Sequence, residues 1–148
     1  MSQDLLTSQS LLSVILRLSF ALLFGAVIGW ERESREKPAG FRTHILVSIG
    51  SALFVLVPIQ LGIAEESVDA FSRIIQGVVS GVGFLGAGEI VSQSQPETGE
   101  FRIRGLTSAA ALWVSASFGI LASCGLWQIG LIATGISVIV LQIFKKFE

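Results

Sequence analysis

A chain of 148 residues that is 51% hydrophobic and only 14% charged, with a mean hydropathy of +0.74, has too little polar surface to cover a water-facing globule of its size. Lipid is therefore the solvent for most of it, and a net charge of −1 gives no basic field for nucleic acid. One cysteine, Cys124, and one histidine, His44, exclude an intramolecular disulfide and a Cys/His zinc cluster.

At 1.5 Å of rise per residue, one crossing of about 30 Å of hydrocarbon takes roughly 20 residues. The first apolar run, over 11–30, follows Asp4 without a preceding Lys or Arg and reads as a retained helix, not a signal peptide. It stops at the charge run Glu31, Arg32, Glu33, Arg35, Glu36 and Lys37, and Pro38 and Gly40 then break any helix. A second span over 45–63 carries Pro58, expected to kink its outer half. An acidic loop with Glu65, Glu66 and Asp69 precedes a glycine-rich third span over 71–91. A polar loop over 92–105 leads to a fourth span over 106–122, and Gly125 turns the chain into a fifth over 126–144.

The expected fold is all-α: a polytopic bundle of five transmembrane helices forming a single domain over 1–148. In it Arg32, Arg35, Lys37, Arg42, Arg102, Arg104, Lys145 and Lys146 share one side, and only Arg73 lies on the other. Basic residues stay on the cytoplasmic side, so the N terminus is expected outside and the C terminus in the cytoplasm.

Helices in lipid approach closely through small residues. Gly77, Gly81 and Gly88 share one face of the third span, Gly25 and Gly29 one of the first, and Ala111, Ser115 and Gly119 one of the fourth. Packing is the expectation for all three faces, with a polar path or hinge as the alternative. Two ionisable residues, Arg17 and Glu89, sit inside apolar runs, about 9 Å and about 3 Å from opposite membrane edges, too far apart in depth to pair. Arg17 is expected to snorkel outward, and Glu89 to meet Arg32, Arg35 or Arg42.

Three strings are more specific than composition: IGWERESREKPAGFRTH from Ile28, SGVGFLGAGEI from Ser80 and RGLTSAAALW from Arg104. In order and spacing they resemble the membrane domain of the MgtC/SapB family, over nearly the whole chain. The resemblance implies a multi-pass protein of the bacterial inner membrane, linked to adaptation to low magnesium and to survival of pathogens inside host cells. In some members it implies inhibition of the proton-translocating ATP synthase. Many members continue into a cytoplasmic C-terminal domain, whereas this sequence stops at Glu148. It also has Glu89 where the family more often has an apolar residue, and Ser108 where a second threonine is common.

Carried over residue by residue, the family pattern points to Gly29, Glu31, Arg32, Ala39, Gly40, Arg42 and Thr43 at the first basic loop. It points also to Gly81, Gly83, Phe84, Gly86, Ala87 and Gly88, and to Arg104, Gly105, Thr107 and Trp113. With Glu89 added for its position, these supply the functional candidates. Gly40 permits a sharp reversal at the membrane surface, Arg42 and Arg104 suit lipid phosphate or helix ends, and Glu31 can hold one of them.

No enzyme or cofactor is expected. His44 and Cys124 fall on opposite sides of the membrane, and the literal GxGxxG of Gly81, Gly83 and Gly86 lies in an apolar helix with no strand before it. No Walker A string occurs. The acidic loop suits weak magnesium binding less well than plain solvation. Ser48, Ser51, Gln76, Ser80, Ser115 and Ser117 are too few to define an ion path. The expected partners are membrane lipids, another inner-membrane protein such as ATP synthase or a transporter, and further copies of the chain. The expected role is a regulator in magnesium or acid stress, with a small magnesium transporter or channel subunit as the alternative.

Overall fold

The computed structural model describes residues 2–92 and 105–143, all-helical among those residues. Six helices follow in order: α1 (Ser2–Glu33), α2 (Phe41–Gln60), a single turn α3 (Ile63–Glu66), α4 (Val68–Ser92), α5 (Leu106–Ser123) and α6 (Trp127–Ile143). Four are long and apolar enough to cross a membrane: Leu11–Glu33 of α1, α2, Val68–Ile90 of α4, and α5, while α6 is a shorter apolar helix. The protein is thus a polytopic helical bundle.

Helix ends differ from the sequence expectation for identifiable reasons. The first helix does not stop at Trp30 but runs on to Glu33, because Glu31 and Arg32 are buried against other helices instead of meeting water. It closes in a Schellman-type turn, with the Lys37 amide on the Arg32 carbonyl, the Glu36 amide on the Glu33 carbonyl, and Glu36 at a left-handed φ of 54°. The second helix begins at Phe41, four residues before the expected 45, since the Glu33 carboxylate accepts the Phe41 N–H at 2.7 Å. Pro58 falls in its last turn. Glu65 and Glu66, expected in a plain loop, sit in the one-turn α3. Between α5 and α6, Gly125 holds φ 74° while the Leu126 amide reaches the Leu121 carbonyl, the same closing turn with the residue that suits it.

α1, α2 and α5 form the core of the bundle, with α4 laid on α5 at one side and α6 on α1 at the other. Ala21, Phe24 and Ile28 of α1 meet Ala52 of α2 and Ala111, Phe118 and Ala122 of α5. Close approach comes from the small residues: a side chain at Gly119 would strike the Ser48 carbonyl and come within 2.9 Å of the Ala52 nitrogen. One at Gly25 would lie 2.8 Å from the His44 carbonyl oxygen. The third face behaves differently. Gly77, Gly81, Gly83 and Gly88 have no atom within 4 Å of where a Cβ would stand, and only Gly86 touches a neighbouring helix, at Ala109. The expected packing of the Gly77, Gly81 and Gly88 face is therefore not made within the chain, because α4 leans on α5 through Val78, Val82 and Gly86 instead.

Arg17 also departs from expectation. It does not simply reach outward, for its Nη1 donates to the Ser123 carbonyl at 2.6 Å and so satisfies an end-of-helix acceptor of α5. Gly119→Ala should lower stability by about 1–3 kcal/mol through overpacking against backbone. Gly77→Ala should be neutral or raise stability by up to about 1 kcal/mol from helix propensity. Denaturant unfolding of both variants in micelles checks the pair, and equal effects would contradict the packing described.

Candidate functional site

At the α1–α2 end of the bundle, polar side chains from four helices meet in a buried cluster. Arg32, 3% exposed, donates from Nη2 to the Ser108 Oγ of α5 at 3.0 Å, and its Nη1 lies 3.7 Å from the Glu31 Oε2. Glu31, 5% exposed, accepts from the Arg35 Nε at 2.7 Å. Glu89 of α4 acts electrostatically on the Arg32 guanidinium. Two acids and two bases therefore balance in net charge, as burial demands.

Next to this group His44 of α2, fully buried, shares a hydrogen bond of 2.8 Å between its Nδ1 and the Ser115 Oγ of α5. Glu31 Oε2, Arg32 Nε and His44 Nε2 have no hydrogen-bond partner among the described residues. Toward mid-membrane the cluster is closed off by Ile28, Phe24 and Phe118. Ser48 donates to the Ala21 carbonyl and Ser123 to the Ala52 carbonyl, so these hydroxyls tie helices together instead of lining a path.

The sequence profile of the MgtC family matches residues 18–148. This chain belongs to the MgtC family. It is 47% identical over 142 residues to Protein SrpB of Synechococcus elongatus, covering 93% of this chain and 78% of that protein. It is 41% identical to the putative magnesium transporter YhiD of Escherichia coli, over 89% of this chain and 60% of YhiD. It is 42% identical to Protein MgtC of Salmonella typhimurium, over 81% of this chain and 47% of that protein. The chain thus spans about half to three-fifths of YhiD and MgtC. No solved structure matches it significantly.

The three strings carrying the MgtC family resemblance converge on this end of the bundle: Glu31 and Arg32 from the first, Gly86 and Glu89 from the second, Ser108 from the third. Not every expected residue joins the cluster. Arg42, Thr43, Thr107 and Trp113 are exposed, and Gly83 and Gly88 face open space. Gly40 serves a local purpose, since a Cβ there would strike the Glu33 carboxylate that caps α2. Arg104 lies outside the described residues, as do Arg102, Lys145 and Lys146. Of the polar candidates for an ion path, Gln76 and Ser80 are not gathered with Ser48 and Ser115.

Sequence reasoning missed the roles of Glu33, His44 and Ser108. The spacing of Ser108 and Ser115, seven residues on one helical face, was the available signal. Cys124, in the turn that joins α5 to α6 and half-buried, has its thiol pushed up by burial.

Arg32→Met, which strands Glu31 in a buried site, should cost about 3–5 kcal/mol. Arg42→Ala, on the exposed start of α2, should change stability by less than about 0.5 kcal/mol. Unfolding in micelles compares them directly, and a small effect at Arg32 would remove the guanidinium from its place in the cluster.

Proposed function

We propose that this chain is a non-enzymatic inner-membrane protein of magnesium homeostasis that regulates another membrane protein and does not itself conduct ions. The observation that carries this reading is the enclosed cluster around Arg32. The residues of the three family strings that the cluster buries are spent on holding helices together at one end, while Phe24, Phe118, Ala52 and Ala116 fill the middle of the bundle. The magnesium link rests on family membership and on the names of the MgtC and YhiD relatives.

In this account the rigid cluster presents the exposed residues around it, Arg42, Thr43, Thr107 and Trp113, to a partner such as ATP synthase. The excess of Lys and Arg at this end orients the cluster toward the cytoplasm. Glu89 then serves as counter-charge to Arg32 and not as a step on an ion path.

A deletion strain should grow poorly as magnesium is lowered and recover with the wild-type chain but not with Arg42→Ala, which leaves the fold intact. Purified protein in vesicles should pass no magnesium. A magnesium flux abolished by Glu89→Gln would overturn the regulatory reading in favour of a transporter, the name one relative carries.

A further inference from the structure

We propose that the cleft between α2 and α4 is a binding site for one phospholipid with a zwitterionic amino headgroup, of the phosphoethanolamine type. α2 and α4 diverge to leave a groove of about 690 Å³, walled by Leu46, Gly50 and Phe54 on one side and Ile74, Gly81 and Leu85 on the other. Its lining is almost wholly apolar. The glycines Gly50, Gly77 and Gly81 leave its floor open, with no atom within 4 Å of a Cβ position at any of them.

The length of the groove selects its occupant. From Thr43 to Phe54 on α2, and antiparallel from Leu85 to Ile74 on α4, the walls each run eleven residue steps, about 16 Å at the helical rise. That is about half of the 30 Å hydrocarbon layer, the depth of one leaflet. An acyl chain hanging from the membrane surface fills a groove of this depth.

The headgroup chemistry follows from what lies at the groove mouth. Thr43 borders both the groove and a second, polar basin of about 410 Å³ in the α1–α2 loop. Four charged residues line that basin, but the Glu33 carboxylate is already committed to the Phe41 N–H. Lys37, Arg42 and Glu36 remain, and none of them forms an ion pair among the described residues. Two cations and one carboxylate suit a phosphate carrying a primary ammonium: the phosphate meets Lys37 and Arg42, and the ammonium meets Glu36. The Thr43 hydroxyl stands where the head passes into the chain.

Native mass spectrometry of the full chain, delipidated and titrated with phosphatidylethanolamine or phosphatidylglycerol, tests this. One phosphatidylethanolamine should be retained per chain, about tenfold more strongly than phosphatidylglycerol, and Glu36→Gln should erase that preference. Gly81→Leu extends into the groove from a position where a Cβ meets no atom within 4 Å, so it should weaken retention of both lipids about tenfold at unchanged helix content. Gly50→Leu should repeat the result from the opposite wall. Wild-type retention in both leucine variants, or equal retention of the two lipids by the wild type, would overturn the proposal. So would loss of a homodimer in Gly81→Leu with lipid retention unchanged, which would assign the groove to a second copy.

Discussion

A guanidinium buried at 3% exposure inside an apolar bundle needs its charge balanced and its two outer nitrogens engaged. Arg32 meets this constraint through Glu31 beside it, Glu89 from α4 and the Ser108 hydroxyl from α5. Each partner comes from a different part of the sequence, so satisfying one side chain fixes the relative depth and rotation of three helices. The extension of α1 past Trp30 and the tight turn at Glu36 follow from placing Arg32 there. Glu33 then falls within reach of the start of α2, and Gly40 is the residue that leaves its carboxylate room.

Away from this end the bundle is held by contact. Between apolar helices in lipid there is little hydrophobic gain in association, so packing depends on surfaces that fit. Gly25, Gly29 and Gly119 let α1, α2 and α5 approach to backbone distance, and hydroxyls of Ser48 and Ser123 bond across the same seams to carbonyls of neighbouring helices. The aromatic rings of Phe20, Phe24, Phe118 and Trp127 fill what the small residues leave between α1, α5 and α6. Helix α4 lies outside this economy, touching α5 through a few residues and leaving a face of glycine open beside α2.

The all-helical membrane fold was legible because five apolar runs and the polar segments between them are long and distinct. Which glycine faces would be used was not. Gly25 and Gly29 carry the same spacing of small residues as Gly77 and Gly81, and only the crossing of the helices decides that the first pair is covered and the second is not. The charge run after Trp30 reads as a solvated loop by composition, yet burial of Glu31 and Arg32 depends on acceptors about 76 residues further on, at Ser108. Arg17 was visible as an intramembrane charge, but its partner is a backbone carbonyl at Ser123, which no sequence pattern announces. Family resemblance marked Gly40 and Arg32 without distinguishing the first, which makes room for a cap, from the second, which organises the bundle.

A double-mutant cycle between Arg32→Lys and Ser108→Ala, read by unfolding in micelles, tests the central contact most directly. Lysine keeps the charge near Glu31 and Glu89 but lacks the fork that reaches Ser108. The account predicts a coupling energy of about 1 kcal/mol or more, with the second substitution costing little once the first is made. Strict additivity of the two effects would contradict it, leaving Arg32 buried at this end for a reason other than the bond that joins α1 to α5.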